Sequence, residues 1–415
     1  MDTPARLRRW LVVTTATAVT LLVALGLLMA RAQEQIRVIG DGAAPQAATA
    51  ADLYFALSDL DAQVTRLVLV DRDTAGSLDA LGAYRQRSRQ ADAALHGFAA
   101  GGTDGELVMS MVDDLAAYRE WTWRALTAGS PPAVLGYYTQ ATNVLHADLL
   151  PAAERLRRAG EQRLDRAYRD LRVTAWSGAG VAVLLGGGLV VLLIRLQVWL
   201  ARRFRRVLSP ALAVATLVTA GLAVAAGTVF VVQERRLDAA RTDSLTPYLQ
   251  LARARAVSYD AAADTSRYLV TALPYYRQSF ERKSRCLVEG GPCGAGLAAA
   301  VLGPDTTGAQ THDVLDRWLG YRRVHERVLA LADDGRRAAA IDMLTGIRRG
   351  DAAFDFAYFD TAVGDIAADR RLAFDTAVRD TRRLSTGGVA VPVAATALVV
   401  LLVALAVRPR LAEYR

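Results

Sequence analysis

The chain has 415 residues, of which 53% are hydrophobic and 22% are charged, and its mean hydropathy is +0.18. The apolar content excludes intrinsic disorder, and the charged fraction argues against a chain that lies entirely within a bilayer. A net charge of +8 would favour a nucleic-acid partner if the basic residues were clustered on a folded domain. The positions of the basic residues along the chain therefore decide whether the protein is a nucleic-acid-binding protein.

Four stretches without a charged residue predict four membrane-spanning helices, because each reaches the roughly 20 apolar residues needed to cross about 30 Å of hydrocarbon. The first stretch has an alternative interpretation as a cleaved signal peptide, since Ala30-Arg31-Ala32 places small residues around a cleavage position. Its apolar run is longer than the about 7–15 residues of a signal peptide, which favours a retained anchor. The predicted spans are residues 10–30, 173–194, 210–233 and 384–407.

The short segments beside these spans carry the basic charge. Residues 1–9, 195–209 and 408–415 together hold eleven Arg and two acidic residues. Because short basic loops stay in the cytoplasm, we expect a multi-pass protein of the cytoplasmic membrane with both termini inside. Residues 31–172 and 234–383 are then expected outside. The charge thus reflects topology, and no nucleic-acid partner is predicted.

The predicted cytoplasmic segments amount to about thirty residues in three pieces, below the about 50 residues of a small domain. No kinase, cyclase or DNA-binding domain fits there, and we expect the protein not to be an enzyme. Any signal that reaches the inside must be read by another molecule. The candidate contact residues in the cytoplasmic loop are Arg202, Arg203, Arg205 and Arg206.

Several short matches predict a tandem duplication. The pattern D-x-A-x-R-D-x-R precedes both the second and the fourth span at an offset of 210 residues, and Tyr84-Arg85-Gln86 recurs as Tyr276-Arg277-Gln278. Pairs four residues apart on an exposed helix explain the longer pattern, and its position beside the membrane also fits a signalling joint. The candidate joint residues are Asp165, Arg169, Asp170, Asp375, Arg379 and Asp380.

The outer segments show helical periodicity. Apolar residues from Leu53 to Leu67 are spaced four and three apart, and Gly- or Pro-rich breaks divide each outer segment into four helical stretches. At an offset of 201 residues the same positions, from Ala254 to Tyr268, are smaller or polar, which indicates either closer helix packing or a cleft. The predicted fold is therefore all-α, with two tandem extracytoplasmic four-helix bundles, each flanked by a pair of transmembrane helices.

This fold divides the chain into nine predicted segments. They are a cytoplasmic N-terminus (1–9), a first span (10–30), a first bundle (31–172), a second span (173–194), an Arg-rich loop (195–209), a third span (210–233), a second bundle (234–383), a fourth span (384–407) and a cytoplasmic tail (408–415). In the second span Gly178, Ala182 and Gly186 lie four residues apart, a spacing that allows close helix packing in lipid.

Few residues of the sequence indicate a ligand-binding site, a disulfide or a metal site. Arg66 and Arg267 are ligand-binding candidates, because a guanidinium near a groove between helices can capture a carboxylate. The only two cysteines, Cys286 and Cys293, flank a Gly/Pro turn on the predicted outer side, which favours a local disulfide. The four histidines lack zinc-site spacing, so neither a metal nor a cofactor is expected.

The opening Leu53-Tyr54-Phe55-Ala56-Leu57-Ser58-Asp59-Leu60-Asp61-Ala62, after a basic-flanked span, resembles the actinobacterial GlnX-like family of four-span membrane proteins. The resemblance covers the whole chain in layout, with motif identity in such short stretches. It implies a relay of amino-acid availability from an extracytoplasmic solute-binding lipoprotein, GlnH, to a cytoplasmic Ser/Thr protein kinase. The outer bundles also resemble the four-helix sensor modules of chemoreceptors and histidine kinases.

These observations together predict a non-enzymatic transmembrane signal transducer. The alternatives are a scaffold of the cell envelope and an accessory subunit of a transporter. Transport by the chain alone is disfavoured, because the predicted spans hold no ionisable residue. The sequence is compatible with a homo-oligomer. It determines neither the oligomeric state nor the ligand.

Overall fold

The computed structural model describes residues 3–70, 74–101, 104–204, 210–291, 294, 296–302, 307–385 and 390–412. Most of these residues are helical, and they include no strand apart from an isolated bridge between Gly291 and Gly294. The all-α prediction is confirmed. The helices are α1 (Thr3–Arg37), α2 (Ala44–Leu69), α3 (Ala75–Ala100), α4 (Gly105–Thr127), α5 (Pro131–Val144), α6 (Leu150–Val181), α7 (Gly187–Phe204), α8 (Pro210–Ala240), α9 (Thr246–Thr271), α10 (Pro274–Glu289), α11 (Leu297–Val301), α12 (Gly308–Asp333), α13 (Arg337–Thr345), α14 (Ala352–Ser385) and α15 (Ala390–Ala412).

The helices belong to two compact units. We call the first the apolar unit; it comprises Met1–Gly42, Asp165–Ala240 and Asp375–Arg415. We call the second the head; it comprises Ala43–Leu164 and Arg241–Phe374. Both outer segments contribute to the one head, in which α2 packs along α9. The sequence did not predict this pairing between the two outer segments. The division of the chain into nine segments remains a prediction.

Three continuous helical runs are long and apolar enough to cross a membrane: Arg9–Leu69, Pro131–Arg202 and Pro210–Thr271. They contain the first three predicted spans, which supports a membrane protein. The fourth predicted span corresponds to the shorter apolar helix Pro392–Ala406, and residues 386–389 lie outside the described residues. The number of four spans therefore remains a prediction.

Close helix contacts hold the apolar unit together. A Cβ atom added at Gly186 would lie 2.5 Å from Cβ of Ala223, and one added at Gly178 would lie 2.8 Å from the ring of Phe230. Both glycines therefore lie at a contact with α8, where the absence of a side chain lets the backbones approach. The small-residue spacing of the second span predicted this contact.

The head has an apolar core on the α2 side and an aromatic core on the α9 side. The predicted stripe on α2 is buried from Leu53 to Val64. On α9 the small and polar residues Ser258 and Thr265 are buried as well. The space beyond them is occupied by stacked rings, with the centroids of Phe280 and His325 3.4 Å apart. Oγ1 of Thr265 lies 2.7 Å from Nδ1 of His325, so a small residue of α9 accommodates a bulky neighbour.

Short π-helical segments precede α2 and α9. They are Val38–Ala43 and Arg241–Leu245, and a proline follows each at the start of the next helix. Pro247 has no N–H to donate to the carbonyl of Asp243 four residues earlier. Nη1 of Arg370, a buried residue, donates to that carbonyl oxygen at 3.3 Å. This contact from Arg370 on α14 stabilises the irregular start of α9.

Candidate functional site

A buried ion network joins α2 to α9 within the head. The side chain of Arg267 is 2% exposed, and its Nε donates to Oδ2 of Asp61 at 3.0 Å. Its Nη1 donates to Oδ1 of Asp260 at 3.0 Å and to Oδ1 of Asp264 at 2.5 Å. Arg267, a ligand candidate from the sequence, is therefore enclosed by three carboxylates of the protein itself. Its charge is explained by these contacts and needs no bound anion.

A second cation completes this network. Nζ of Lys283 lies 2.6 Å from Oδ2 of Asp260 and 2.7 Å from Oδ2 of Asp264. Burial alone would raise the pKa of Asp260, but the adjacent charges of Lys283 and Arg267 lower it below its usual range. Burial, followed by the charge of Arg267, lowers the pKa of His146, whose Nε2 lies 3.9 Å from Oδ2 of Asp61. Because His146 is neutral, the network contains three carboxylates and only two cations, Arg267 and Lys283.

Arg66, the other ligand candidate, lines a cavity of about 230 Å³ beside this network. Helices α2, α9, α12, α13 and α14 form its wall, so both outer segments contribute. The lining residues are Ala62, Gln63, Arg66, Tyr259, Ala262, Ala263, Ser266, Tyr321, Leu344, Ala352, Ala353, Phe356, Ala357, Asp360 and Thr361. The cavity thus combines an apolar and aromatic wall with a few polar groups, as small-molecule sites do.

The guanidinium of Arg66 is only partly paired. Its Nη2 donates to the carbonyl of Thr345 at 3.2 Å, and its Nη1 lies 3.5 Å from Oδ2 of the exposed Asp79. Its Nε is buried and has no hydrogen-bond partner among the residues that the structure describes. Burial lowers the pKa of Arg66, and Asp79 opposes this change. A buried N–H of a cation without an acceptor is costly, so this atom favours an anionic ligand.

Gln63 presents the complementary atom one helical turn away on α2. Its Nε2 donates to Oδ1 of Asp59 at 2.8 Å, and Nε of Arg87 donates to the other oxygen of Asp59. Burial raises the pKa of Asp59, and the charge of Arg87 opposes this rise. Because Asp59 takes the amide N–H, Oε1 of Gln63 is the free end, and it is buried without a partner among the described residues.

Aromatic rings form the rest of the wall. Phe356 makes edge-to-face contacts with Tyr259 and Tyr321, with ring centroids 4.7 and 5.2 Å apart. Both oxygens of Asp360 accept from Arg255, at 2.7 and 2.8 Å, and one also accepts from the hydroxyl of Tyr259 at 2.9 Å. Asp360 is therefore a structural residue here, and Arg66 and Gln63 supply the free polar atoms.

A larger cleft of about 1060 Å³ lies between α12 and α14. Within it Arg317 pairs with Asp313 at 2.8 Å, and Arg327 donates to the carbonyl of Gly350 at 3.1 Å. The cleft mixes four arginines with four acidic residues. It offers no single sign of charge, so the smaller cavity is the better candidate site.

The candidate joint residues lie on α6 and α14, within the apolar unit. Nη2 of Arg379 donates to Oγ1 of Thr376 at 3.0 Å, and Asp380 pairs with Arg383 at 3.7 Å. Asp170 and Asp375 are exposed, as is Arg169, and Asp165 is half-buried. The structure thus places these residues on helices, and their signalling role remains a prediction.

The remaining candidates are only partly described. Arg202 is exposed near the end of α7, which also contains Arg203, whereas Arg205 and Arg206 lie outside the described residues. Cys286 is disulfide-bonded, and Cys293, the only other cysteine in the chain, lies outside the described residues. No group of three or more His, Cys, Asp or Glu residues that could hold a metal occurs in the described part of the chain.

Sequence reasoning missed Gln63 and the acidic partners of Arg267. Asp260, Asp264 and Arg267 lie four and three residues apart, on the face of α9 that also buries Ala256 and Ala263. Charged residues that share a helix face with buried alanines indicate an internal ion network. The partner on the other helix, Asp61, could not be assigned without the pairing of α2 with α9.

Comparison with known proteins relates part of the chain to a sensor family. Residues 35–169 match the family model of an actinobacterial sensor domain. The matched region runs from the end of α1 into α6, and it includes Arg66 and Gln63. No curated protein and no solved structure matches the chain. The match supports a sensor-type actinobacterial protein with a signalling or sensing role, in agreement with the sensor-module resemblance.

Proposed function

We propose that the chain is a non-enzymatic transmembrane signal transducer, which reports an extracytoplasmic small solute or a loaded solute-binding lipoprotein to a cytoplasmic effector. One observation carries this proposal. The first helices of the two outer segments, α2 and α9, pack along each other in the head, and each belongs to a continuous helical run with an apolar candidate span. A ligand that changes this packing therefore acts on helices that extend into apolar segments.

The relay follows from a shift between two arrangements of α2 and α9. A ligand with different affinities for the two arrangements changes their populations by that difference in affinity. Helices are stiff along their axes because their hydrogen bonds run parallel to the axis. A displacement of one end of a helix therefore moves the other end as well. The helical runs Arg9–Leu69 and Pro210–Thr271 provide this continuity for the two segments.

The proposed partners lie on both sides of the membrane. An extracytoplasmic solute-binding lipoprotein would contact the head, and a cytoplasmic Ser/Thr protein kinase would contact the Arg-rich loop of residues 195–209. Four spans with both termini in the cytoplasm would place the loop inside. The loop has 15 residues, below the about 50 residues of a small domain, so it could serve as a contact for an effector but not as an effector domain.

Crosslinking in intact cells tests the relay against its rivals. A photo-reactive residue replaces Trp123, which is 68% exposed on α4, and a second one replaces Arg202 at the end of α7. The relay predicts a solute-binding protein at position 123 and a protein kinase at position 202. Cell-wall enzymes at position 123 would instead support the scaffold, and a transporter subunit would support the accessory role. A probe at Leu184, exposed in the apolar unit, serves as the control for capture of random membrane proteins.

A further inference from the structure

We propose that the cavity lined by Arg66 and Gln63 binds a small carboxylate that carries a hydrogen-bond donor beside the carboxyl group, as amino acids and hydroxy acids do. This assignment rests on the proposed function, because it names the ligand class that the head itself would sense. It places direct ligand contact on this chain, whether or not a binding protein is also involved.

Two buried polar atoms define the ligand's polar end. Nε of Arg66 is a charged donor and Oε1 of Gln63 is an acceptor, and neither has a hydrogen-bond partner among the described residues. The two residues are three apart on α2, so their side chains leave the same face of the helix and line the same cavity. A carboxylate satisfies the donor, and an adjacent ammonium or hydroxyl group satisfies the acceptor.

The protein fixes both atoms in place before a ligand arrives. Arg66 is held from α13 by the carbonyl of Thr345, at 3.2 Å from its Nη2. Gln63 is held by Asp59, at 2.8 Å from its Nε2, and Asp59 is held in turn by Arg87. These contacts orient the free N–H and the free oxygen, and such preorganisation lowers the entropy cost of binding.

The remainder of the cavity limits the size and polarity of the ligand. Its volume of about 230 Å³ lies below the roughly 300–1,000 Å³ of sites for drug-sized ligands, which leaves room for a small metabolite only. Tyr259, Phe356 and Leu344 line the wall away from α2, so an apolar side chain of the ligand would be buried against them. A branched aliphatic amino or hydroxy acid satisfies these requirements together.

The position of the cavity connects ligand binding with helix pairing. Gln63 and Arg66 belong to α2, whereas Tyr259 and Ser266 belong to α9 of the other outer segment. A ligand that contacts both helices stabilises the arrangement in which they are correctly spaced. The same helices are joined a short distance along α9 by the Arg267 network, so the ligand acts beside a rigid ionic contact.

A set of four related compounds tests each polar contact separately. Binding to the full-length protein in detergent is measured by calorimetry with L-leucine, leucic acid, isocaproate and isoamylamine. Isocaproate lacks the neighbouring donor, and isoamylamine lacks the carboxylate. The variant Arg66→Gln removes the charged donor, Gln63→Met removes the acceptor at similar volume, and Arg124→Gln changes an exposed arginine outside the cavity as the matched control.

We expect L-leucine or leucic acid to bind more tightly than isocaproate, and isoamylamine not to bind. R66Q should weaken binding of all carboxylates about ten- to hundredfold. Q63M should weaken only the compounds with a neighbouring donor, to the level of isocaproate. R124Q should bind as the unchanged protein does. Should R66Q fail to fold, the selective loss in Q63M still tests the assignment.

Failure of all four compounds to bind would overturn the assignment, as would equal binding by R66Q and R124Q. Binding of isoamylamine as tight as that of L-leucine would also overturn it. Because binding is measured on the isolated protein, these results are independent of the crosslinked partners. A ligand without a kinase contact would contradict the relay alone, and a kinase contact without this ligand would contradict the ligand class alone.

Discussion

The guanidinium of Arg267 donates from Nε to Oδ2 of Asp61 across 3.0 Å, although the two residues are 206 positions apart in the chain. Both side chains are almost completely buried. A buried charge without its partner is strongly unfavourable, so this contact fixes the alignment of α2 with α9. A shift of either helix along the other would separate the pair.

Replacement of this arginine should destabilise the head. Arg267→Met fills a similar volume but leaves Asp61, Asp260 and Asp264 with Lys283 as the one remaining cation of the network. We expect the free energy of unfolding to fall by about 3–5 kcal/mol, the usual cost of breaking a buried pair on one side. Denaturant titration of the protein in detergent measures this change.

Arg277→Met is the matched control. Arg277 pairs with Asp333 in the same unit, but the two side chains are 40% and 47% exposed. Water screens such a pair, so its loss should cost less than about 1 kcal/mol. Equal losses in R267M and R277M would contradict a structural role for the buried network.

The burial of neutral His325 should lower the free energy of unfolding as the pH becomes acidic. Burial, followed by the charges of Arg277 and Arg322, lowers the pKa of His325 to about 3, whereas an unfolded chain has a His pKa of about 6.5. Between about pH 6.5 and 3 the unfolded state therefore gains a proton that the folded state excludes. The contribution of His325 is complete above about pH 6.5 and is lost as the pH falls through this range, by up to about 1.4 kcal/mol per pH unit.

The variant His325→Gln removes this titration. Its free energy of unfolding should decline less steeply between about pH 6.5 and 4 than that of the unchanged protein. His96→Gln, at an exposed position on α3, is the matched control. Parallel pH profiles for H325Q and the unchanged protein would show that His325 is not held neutral.

Gly186 and Gly187 allow a direct test of helix contact in the apolar unit. A side chain at Gly186 meets Ala223, whereas one at Gly187 meets nothing within 4 Å. Gly186→Val should therefore lower the free energy of unfolding in detergent by about 1–3 kcal/mol through overpacking. Gly187→Val should change it much less, and equal effects would place the contact elsewhere.

A break in α6 should uncouple the head from its output. Two glycines inserted after Asp170 weaken the helix and rotate everything that follows, whereas two inserted after Gly129 fall between α4 and α5. The readout is phosphorylation by the crosslinked kinase after cells move between media with and without amino acids. We expect the response to vanish in the first variant and to persist in the second. A normal response with the insertion at position 170 would contradict transmission through α6.

The local structure was largely predictable, because helical periodicity and Gly/Pro breaks depend on nearby residues. Leu53 to Val64 and the glycines of the second span were assigned to the contacts that they make. The pairing of Asp61 with Arg267 was not predictable, since nothing local indicates which helix faces α9. For the same reason Arg66 was a candidate from the sequence, whereas Gln63 emerged only from the cavity and from its contact with Asp59.

The account depends most directly on the side of the membrane that the head occupies, and labelling of the two cysteines tests this. The variant Cys286→Ala leaves Cys293 as the single thiol of the chain. An impermeant maleimide added to intact cells should label this thiol, while a cysteine at position 202, in a chain without Cys286 and Cys293, should react only after permeabilisation. Labelling of Cys293 only in permeabilised cells would place the second outer segment in the cytoplasm and contradict the proposed sensor.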